Sequence, residues 1–268
     1  MIKYDYHTHS WHSTDSLTPL DKNIEKAISL GLAEIAATDH VDFYYPTGKI
    51  LYNMPVDKYV KDVMEMQKKF HGQIKVLLGV EFGLRPDAVA TATKIANEYD
   101  FDFILGSMHE HVNGTAFHKA EFYEGRTKQV AYNDYFESMI ETIKSSDCFD
   151  VVGHLDYIER YGRYHDSTLH YKDHTEVIDQ LLKAIIDKGK GIEINTAGYA
   201  YGLEHPHPRV EILRRYKELG GEILTVGSDG HTTRNIGQYF EHANALLQEA
   251  GIKYVTTFEK RKPTMVKI

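Results

Sequence analysis

Seven short apolar runs are spread along this 268-residue chain, and each delivers a histidine or an acidic residue at or near its end. They are Tyr4-Asp5-Tyr6-His7-Thr8-His9, Ala36-Ala37-Thr38-Asp39-His40, Leu77-Leu78-Gly79-Val80-Glu81, Ile104-Leu105-Gly106-Ser107-Met108-His109, Val151-Val152-Gly153-His154, Ile192-Glu193-Ile194-Asn195 and Leu224-Thr225-Val226-Gly227-Ser228-Asp229-Gly230-His231. Together they offer more metal-ligand groups than one ion uses, which points to a polynuclear metal site. Between the runs lie stretches with helical period: Pro19 to Leu30, Val56 to Phe70, Asp87 to Tyr99, Thr127 to Ser145, Tyr171 to Lys188, Pro208 to Leu219 and Ile236 to Ala250. Alternating strand and helix builds a parallel sheet, open or closed. An open doubly wound sheet concentrates its site at a topological switch point. Here no Gly-x-Gly-x-x-Gly follows the first strand, and ligand candidates come from strand ends along the entire chain. This favours a closed α/β barrel of TIM type, in which one mouth collects every strand end. Seven ligand-bearing strands, plus a short final strand expected at Tyr254 to Phe258, predict a distorted (β/α)7 barrel, with an ordinary eightfold barrel as the alternative.

With 42% hydrophobic residues the chain can bury a sizeable core, and residues 1–268 are expected to form a single domain. The formal charge of -8 disfavours a nonspecific nucleic-acid surface, which relies on excess Lys and Arg. The single cysteine, Cys148, provides neither a disulfide framework nor a thiolate metal site and fits a reducing cytoplasm. No signal peptide or membrane span is expected from the N-terminus or the apolar runs. Three longer insertions, Val41 to Pro55, Glu110 to Arg126 and Asp156 to His170, follow strands and therefore sit over the ligand-bearing mouth. They are rich in Tyr, Phe, Arg and His, as a substrate-contacting rim is, although tyrosine-rich loops also serve as packing covers.

His7 and His9 are two apart in a strand, so both side chains point to one face and can grip one ion. Asp229, after another apolar run, completes a ligand set with them. Glu81 ends the very apolar stretch Val76 to Val80, where an unpaired carboxylate is costly. A salt bridge, for instance to Arg85, is one explanation; a carboxylate bridging two cations is the more economical one. His109 and His154 close strands after small residues and make a second site with Glu81. His40, His231 and Asp15 remain for a third ion. Asp15 lies in the loop Trp11-His12-Ser13-Thr14-Asp15-Ser16, where capping a turn is the plain alternative and His12 the competing ligand. Asp39 faces away from His40 and reads as a supporting carboxylate.

His7-x-His9, Thr38-Asp39-His40, Glu81, His109, Gly153-His154 and Ser228-Asp229-x-His231 resemble, in order and over essentially the full length, the polymerase and histidinol phosphatase (PHP) family of metal phosphoesterases. Within that family the length, the loop after Gly153-His154 and Arg261-Lys262-Pro263 are similar to its stand-alone phosphatases of histidinol phosphate. The resemblance implies a distorted seven-stranded barrel with a trinuclear site of divalent Zn, Mn or Fe. One metal falls on His7, His9, Glu81 and Asp229, a second on Glu81, His109 and His154, and a third on Asp15, His40 and His231; some members place histidine where this chain has Asp15. Asp229, His231 and Glu81 are assigned to the catalytic step.

The chemistry so implied is hydrolysis of a small phosphate monoester by a metal-activated hydroxide, without a protein nucleophile. Arg160 is the first choice for a guanidinium fork on the phosphate and Arg163 the second, with surface ion pairs to Glu159 or Asp166 as the alternative. Asp42, Glu110 and Phe117 are candidates to receive the ammonium and imidazole of a histidinol leaving group. A TatD-type deoxyribonuclease shares part of the ligand pattern but lacks counterparts of Asp15, His40 and His231. Amidohydrolases bridge their metals with a modified lysine, and no lysine here ends an apolar strand. A proofreading exonuclease of the same family is normally attached to a polymerase. A metal-storage or metal-sensing module has no use for arginine-rich and aromatic loops over the mouth.

Overall fold

The structure is a computed structural model that describes residues 1–45, 47–50 and 55–268. In chain order the elements are β1 (Tyr4–Asp5), α1 (Leu20–Ser29), β2 (Glu34–Ala37), β3 (His40–Val41), β4 (Phe43–Tyr44), β5 (Lys49–Ile50), α2 (Val56–Lys69), β6 (Lys75–Gly83), α3 (Val89–Glu98) and β7 (Phe103–Ser107). They continue with α4 (Lys128–Ser145), β8 (Val151–Val152), α5 (Thr175–Asp187), β9 (Gly191–Asn195), the single turn α6 (Ala197–Ala200), α7 (Val210–Glu218), β10 (Leu224–Gly227), α8 (Phe240–Glu249), β11 (Tyr254–Glu259) and β12 (Lys262–Lys267). Among the described residues no helix is long and apolar enough to cross a membrane.

Seven parallel strands run in the order β1-β2-β6-β7-β8-β9-β10, with β3 continuing the line of β2 and pairing His40 with Glu81 on β6. The first and last strands meet where the Tyr6 amide donates to the Val226 carbonyl at 2.9 Å and Thr8 bridges Gly230. The sheet is thus a nearly closed seven-stranded α/β barrel, as the spacing of apolar runs predicts. Each helix follows its strand and packs outside, because short α/β connections place it there.

The two-residue period of a strand decides what fills the barrel. On β6, Leu77 joins Tyr6, Ala36, Phe103, Leu105, Val151 and Phe258 in a small interior core. Val76, Leu78 and Val80 face outward into the larger core beneath the helices. The same alternation sends Gly79 and Glu81 inward. Gly79 must lack a side chain, since a Cβ there would lie 2.7 Å from the Ala37 carbonyl oxygen. The interior is therefore apolar at the N-terminal end and carries Glu81 toward the C-terminal end.

The expected final strand is a strand, but not a barrel member. β11 pairs antiparallel with β12, and the hairpin closes the N-terminal end. Phe258 enters beside Tyr6 and Phe103, its amide donates to the Tyr6 hydroxyl at 2.7 Å, and the Arg261 amide donates to the Asp102 carbonyl at 2.8 Å. Arg261 also holds Asp150 through Nε and Nη2. Of the three insertions, residues 46 and 51–54 of the first lie outside the described residues. The second folds back through the Glu110–Ala116 bridge, and the third begins with a short helical turn, Tyr157–Tyr161.

Candidate metal centre

All nine ligand candidates converge at the C-terminal mouth. Glu81 is fully buried, and its Oε2 lies 2.9 Å from His40 Nδ1, 3.4 Å from His7 Nε2 and 3.6 Å from His9 Nε2. Its Oε1 lies 3.2 Å from His154 Nε2 and 3.5 Å from His109 Nε2. Asp229 Oδ1 faces His9 Nε2 at 3.3 Å, His231 Nδ1 at 3.5 Å and His7 Nε2 at 3.6 Å. Asp15 Oδ2 lies 3.1 Å from His231 Nε2 and 3.6 Å from His40 Nε2. Potential ligand atoms lie within 4.8 Å of one another in the groups His7-His9-Asp229, Glu81-His109-His154, His9-His40-His231 and His40-Asp42-His109; Asp15 belongs to none of these groups.

Buried nitrogen and oxygen atoms need partners, yet His7 Nε2, His9 Nε2, His40 Nδ1 and Glu81 Oε2 have no hydrogen bond. Imidazole nitrogens gathered 2.9–3.6 Å from one buried carboxylate oxygen without a well-formed hydrogen bond are what divalent cations satisfy, so the residues present fit metal ions. Four of the six candidate histidines anchor a second ring nitrogen, as ligating histidines commonly do, whereas His154 Nδ1 has no partner. His7 Nδ1 donates to Glu193 at 2.7 Å, His9 Nδ1 meets Ser13 Oγ at 3.1 Å, His109 Nδ1 donates to Asp42 at 3.2 Å, and His231 Nδ1 donates to the Asp229 carbonyl at 3.0 Å. Burial by itself would raise the Glu81 carboxyl, but His7, His40 and hydrogen bonds from His109 and His154 hold it well below the usual carboxylate range. Burial, reinforced by His231 and His40, lowers His9 to about 3, whereas neighbouring carboxylates outweigh burial at His7, His40 and His231 and raise them, and push His109 up to about 10.

Local backbone supports the arrangement. His154 and Asp229 adopt positive φ of 23° and 52°, a sparsely populated conformation that tertiary contacts must hold in place. Gly227 leaves room for two neighbours, since a Cβ there would lie 2.3 Å from Glu193 Oε1 and 2.4 Å from His7 Cβ. Asp39 accepts from the Ser10 amide at 2.7 Å and the Ser13 amide at 3.0 Å, shaping the loop that carries Asp15. His12, the competing loop ligand, turns away and faces Asp62 on α2 at 3.1 Å.

The substrate candidates divide. Arg160 points into a cavity of about 270 Å³ that also meets Glu81, His154 and Asp229. Its nearest charged atom is Asp229 Oδ2 at 3.8 Å, while Glu159, its expected ion-pair partner, is held by Arg209. Asp42 and Glu110 line an adjoining cavity of about 280 Å³, where Glu110 pairs with Arg85. Arg85 is thereby engaged away from Glu81. Two expectations are corrected. Phe117 is fully buried between Phe122 and Tyr135, because the second insertion packs its aromatic residues inward, so its ring cannot touch a ligand. Arg163 is exposed and donates to the His118 carbonyl at 3.0 Å, joining two rim segments instead of lining either cavity.

Sequence reasoning assigned no role to Glu193. It is fully buried, accepts from His7 Nδ1 and from the His154 amide at 2.9 Å, and so braces ligands on two different strands. A lone carboxylate inside Ile192-Glu193-Ile194 was the available signal. The fully buried pair of Asp156 and His207 also went unnoticed, because its partners lie far apart in the chain.

Strand ends that gather carboxylates and imidazoles around unpaired lone pairs, beneath a rim bearing a buried arginine, define a metallohydrolase of the α/β-barrel class. Residues 5–197 match the PHP domain family, and the chain belongs to that family. It is 35% identical over 262 residues to a probable histidinol-phosphatase of Clostridium acetobutylicum, covering 96% of this chain and 97% of that one. It is 31% identical over 267 residues to the histidinol-phosphatase of Lactococcus lactis, with 98% and 96% covered. The crystal structure of the Lactococcus lactis histidinol phosphate phosphatase with zinc, L-histidinol and phosphate matches the fold with a TM-score of 0.87, at 29% identity and 98% coverage of both chains.

Proposed function

We propose that this protein hydrolyses L-histidinol phosphate to L-histidinol and phosphate, as a cytoplasmic step of histidine biosynthesis. The observation that carries the reading is the unpaired set His7 Nε2, His9 Nε2, His40 Nδ1 and Glu81 Oε2, opening toward a cavity walled by Arg160. The similarity to a phosphatase whose structure holds zinc, L-histidinol and phosphate supports the substrate. Three divalent ions are assigned: one to His7, His9, Glu81 and Asp229, one to Glu81, His109 and His154, and one to Asp15, His40 and His231. When bound, such ions supply Lewis-acid charge for phosphate oxygens and lower the pKa of water.

The remaining work belongs to side chains. Glu193 and Asp42 hold His7 and His109 in the tautomer that presents Nε2 to the centre. Arg160 offers a planar pair of donors to a phosphate oxygen pair, a geometry that a lysine point charge does not match. Asp42, in the adjoining cavity, offers a carboxylate to an ammonium group, while Glu110 there is paired with Arg85. Phosphate release from histidinol phosphate tests the reading, measured beside nucleotides, sugar phosphates and single-stranded DNA after chelation and re-addition of Mn, Fe or Zn. Metal-dependent release from histidinol phosphate above the others is expected; equal or greater action on DNA would overturn it.

A further inference from the structure

The Arg160 guanidinium is enclosed with one loose ion pair and no hydrogen bond at Nε or Nη2. Its side chain is 7% exposed, Nε and Nη2 have no hydrogen-bond partner, and the nearest carboxylate stands 3.8 Å away. What it touches is aromatic. Its Cζ lies 3.5 Å from the centre of the Tyr201 ring, 4.9 Å from that of Tyr157 and 5.9 Å from that of Tyr161. Tyr157 and Tyr161 share a helical turn with Arg160, but Tyr201 comes from the far segment after α6. Although the cation sits over its ring, Tyr201 is 56% exposed.

The two segments are held in register below the stack. Asp156 pairs with His207 Nδ1 and accepts from the Arg209 amide at 2.8 Å; Glu159 accepts from Arg209 Nε at 2.9 Å. The sequence neighbours of Arg160 are thus tied to the continuation of the Tyr201 segment. A carboxylate in the place of Tyr201 would occupy the guanidinium fork. A ring face restrains the plane of the guanidinium and leaves its N–H groups free for a bidentate acceptor.

We propose that Tyr201 is a positioning residue, a stacking platform that orients the Arg160 fork toward the substrate phosphate. This rests on the reading in which Arg160 receives that phosphate. The test is calorimetric binding of inorganic phosphate to metal-reconstituted protein, for wild type, Tyr201→Phe, Tyr201→Leu, Arg160→Ala and the double variant Arg160→Ala/Tyr201→Leu. Metal content is measured in each sample, and histidinol phosphate kinetics are run in parallel. Tyr201→Leu is expected to weaken phosphate binding and raise KM by about tenfold. Tyr201→Phe should match wild type, because the ring face is the platform. With Arg160 already removed, Tyr201→Leu should add no further loss. An additive loss in the double variant, or a Phe variant as weak as the Leu variant, overturns the platform. A wild type that shows this coupling in phosphate binding but releases no phosphate from histidinol phosphate overturns the phosphatase reading and leaves the platform standing. Turnover without coupling does the reverse.

Discussion

Glu193 shows how one carboxylate supports several ligands without facing the centre. Its two oxygens receive His7 Nδ1 and the His154 amide, and Asn195 Nδ2 donates to it at 3.2 Å. In Glu193→Gln the amide group must present N–H to one of these donors, and His7 loses a charged acceptor. Metal affinity or turnover should fall by about 10–100-fold, read by chelator competition and kinetics; an unchanged affinity and rate would mean that the contact does not tune the ligand. Asp15 stands at the opposite extreme, with its side chain 54% exposed. We expect three ions per chain at saturation by elemental analysis and two in Asp15→Ala, since this ion rests on a loop carboxylate and shares no bridging glutamate. Saturation at two in the wild type would rule out the third site. For Arg160→Lys we expect about a tenfold drop in kcat/KM, or roughly 1.4 kcal/mol, with metal content preserved. Wild-type kinetics in that variant would leave phosphate to be held by other groups.

The β11–β12 hairpin is the element that excludes the eightfold alternative. Its strand propensity is genuine and α8 is long enough to serve as a crossover, but the ends of β1 and β10 already bond to each other, with the Tyr6 amide on the Val226 carbonyl at 2.9 Å and Thr8 bridging Gly230, so no free edge is left for an eighth parallel strand. There Phe258 is 3% exposed and fills the space between Tyr6 and Phe103. Phe258→Ala should cost about 3–5 kcal/mol of stability, the range for truncating a buried phenylalanine. Denaturant unfolding measures this, and turnover per folded molecule should persist because the floor is remote from the C-terminal mouth. A loss below about 1 kcal/mol would mean that the hairpin is not part of the cooperative core.

Closure of the barrel brings buried carboxylates and imidazoles from all parts of the chain to one end, so bound ions and folding are thermodynamically linked. A free ion at 100 times its dissociation constant stabilises the native state by about 2.7 kcal/mol. Chelation should therefore lower Tm by several degrees, reversibly on re-addition of metal, in a calorimetric scan; an unchanged Tm would argue against occupied, folding-linked sites. The alternation of apolar runs and helical stretches made the α/β barrel legible, and the residues ending those runs made the candidate ligands legible. The physical reason is that parallel βα units leave every strand end at one mouth, so ligand positions follow from local pattern alone. The turn of His12 toward Asp62, the inward turn of Phe117, the outward turn of Arg163 and the placement of Arg160 over the Tyr201 ring are visible only in three dimensions. All of these residues lie on or beside long connections, where no two-residue or 3.6-residue period fixes the direction of a side chain. There the direction depends on partners far away in the chain: Asp62 for His12, Tyr135 for Phe117, His118 for Arg163, and the Asp156–His207 tie for the segments of Arg160 and Tyr201.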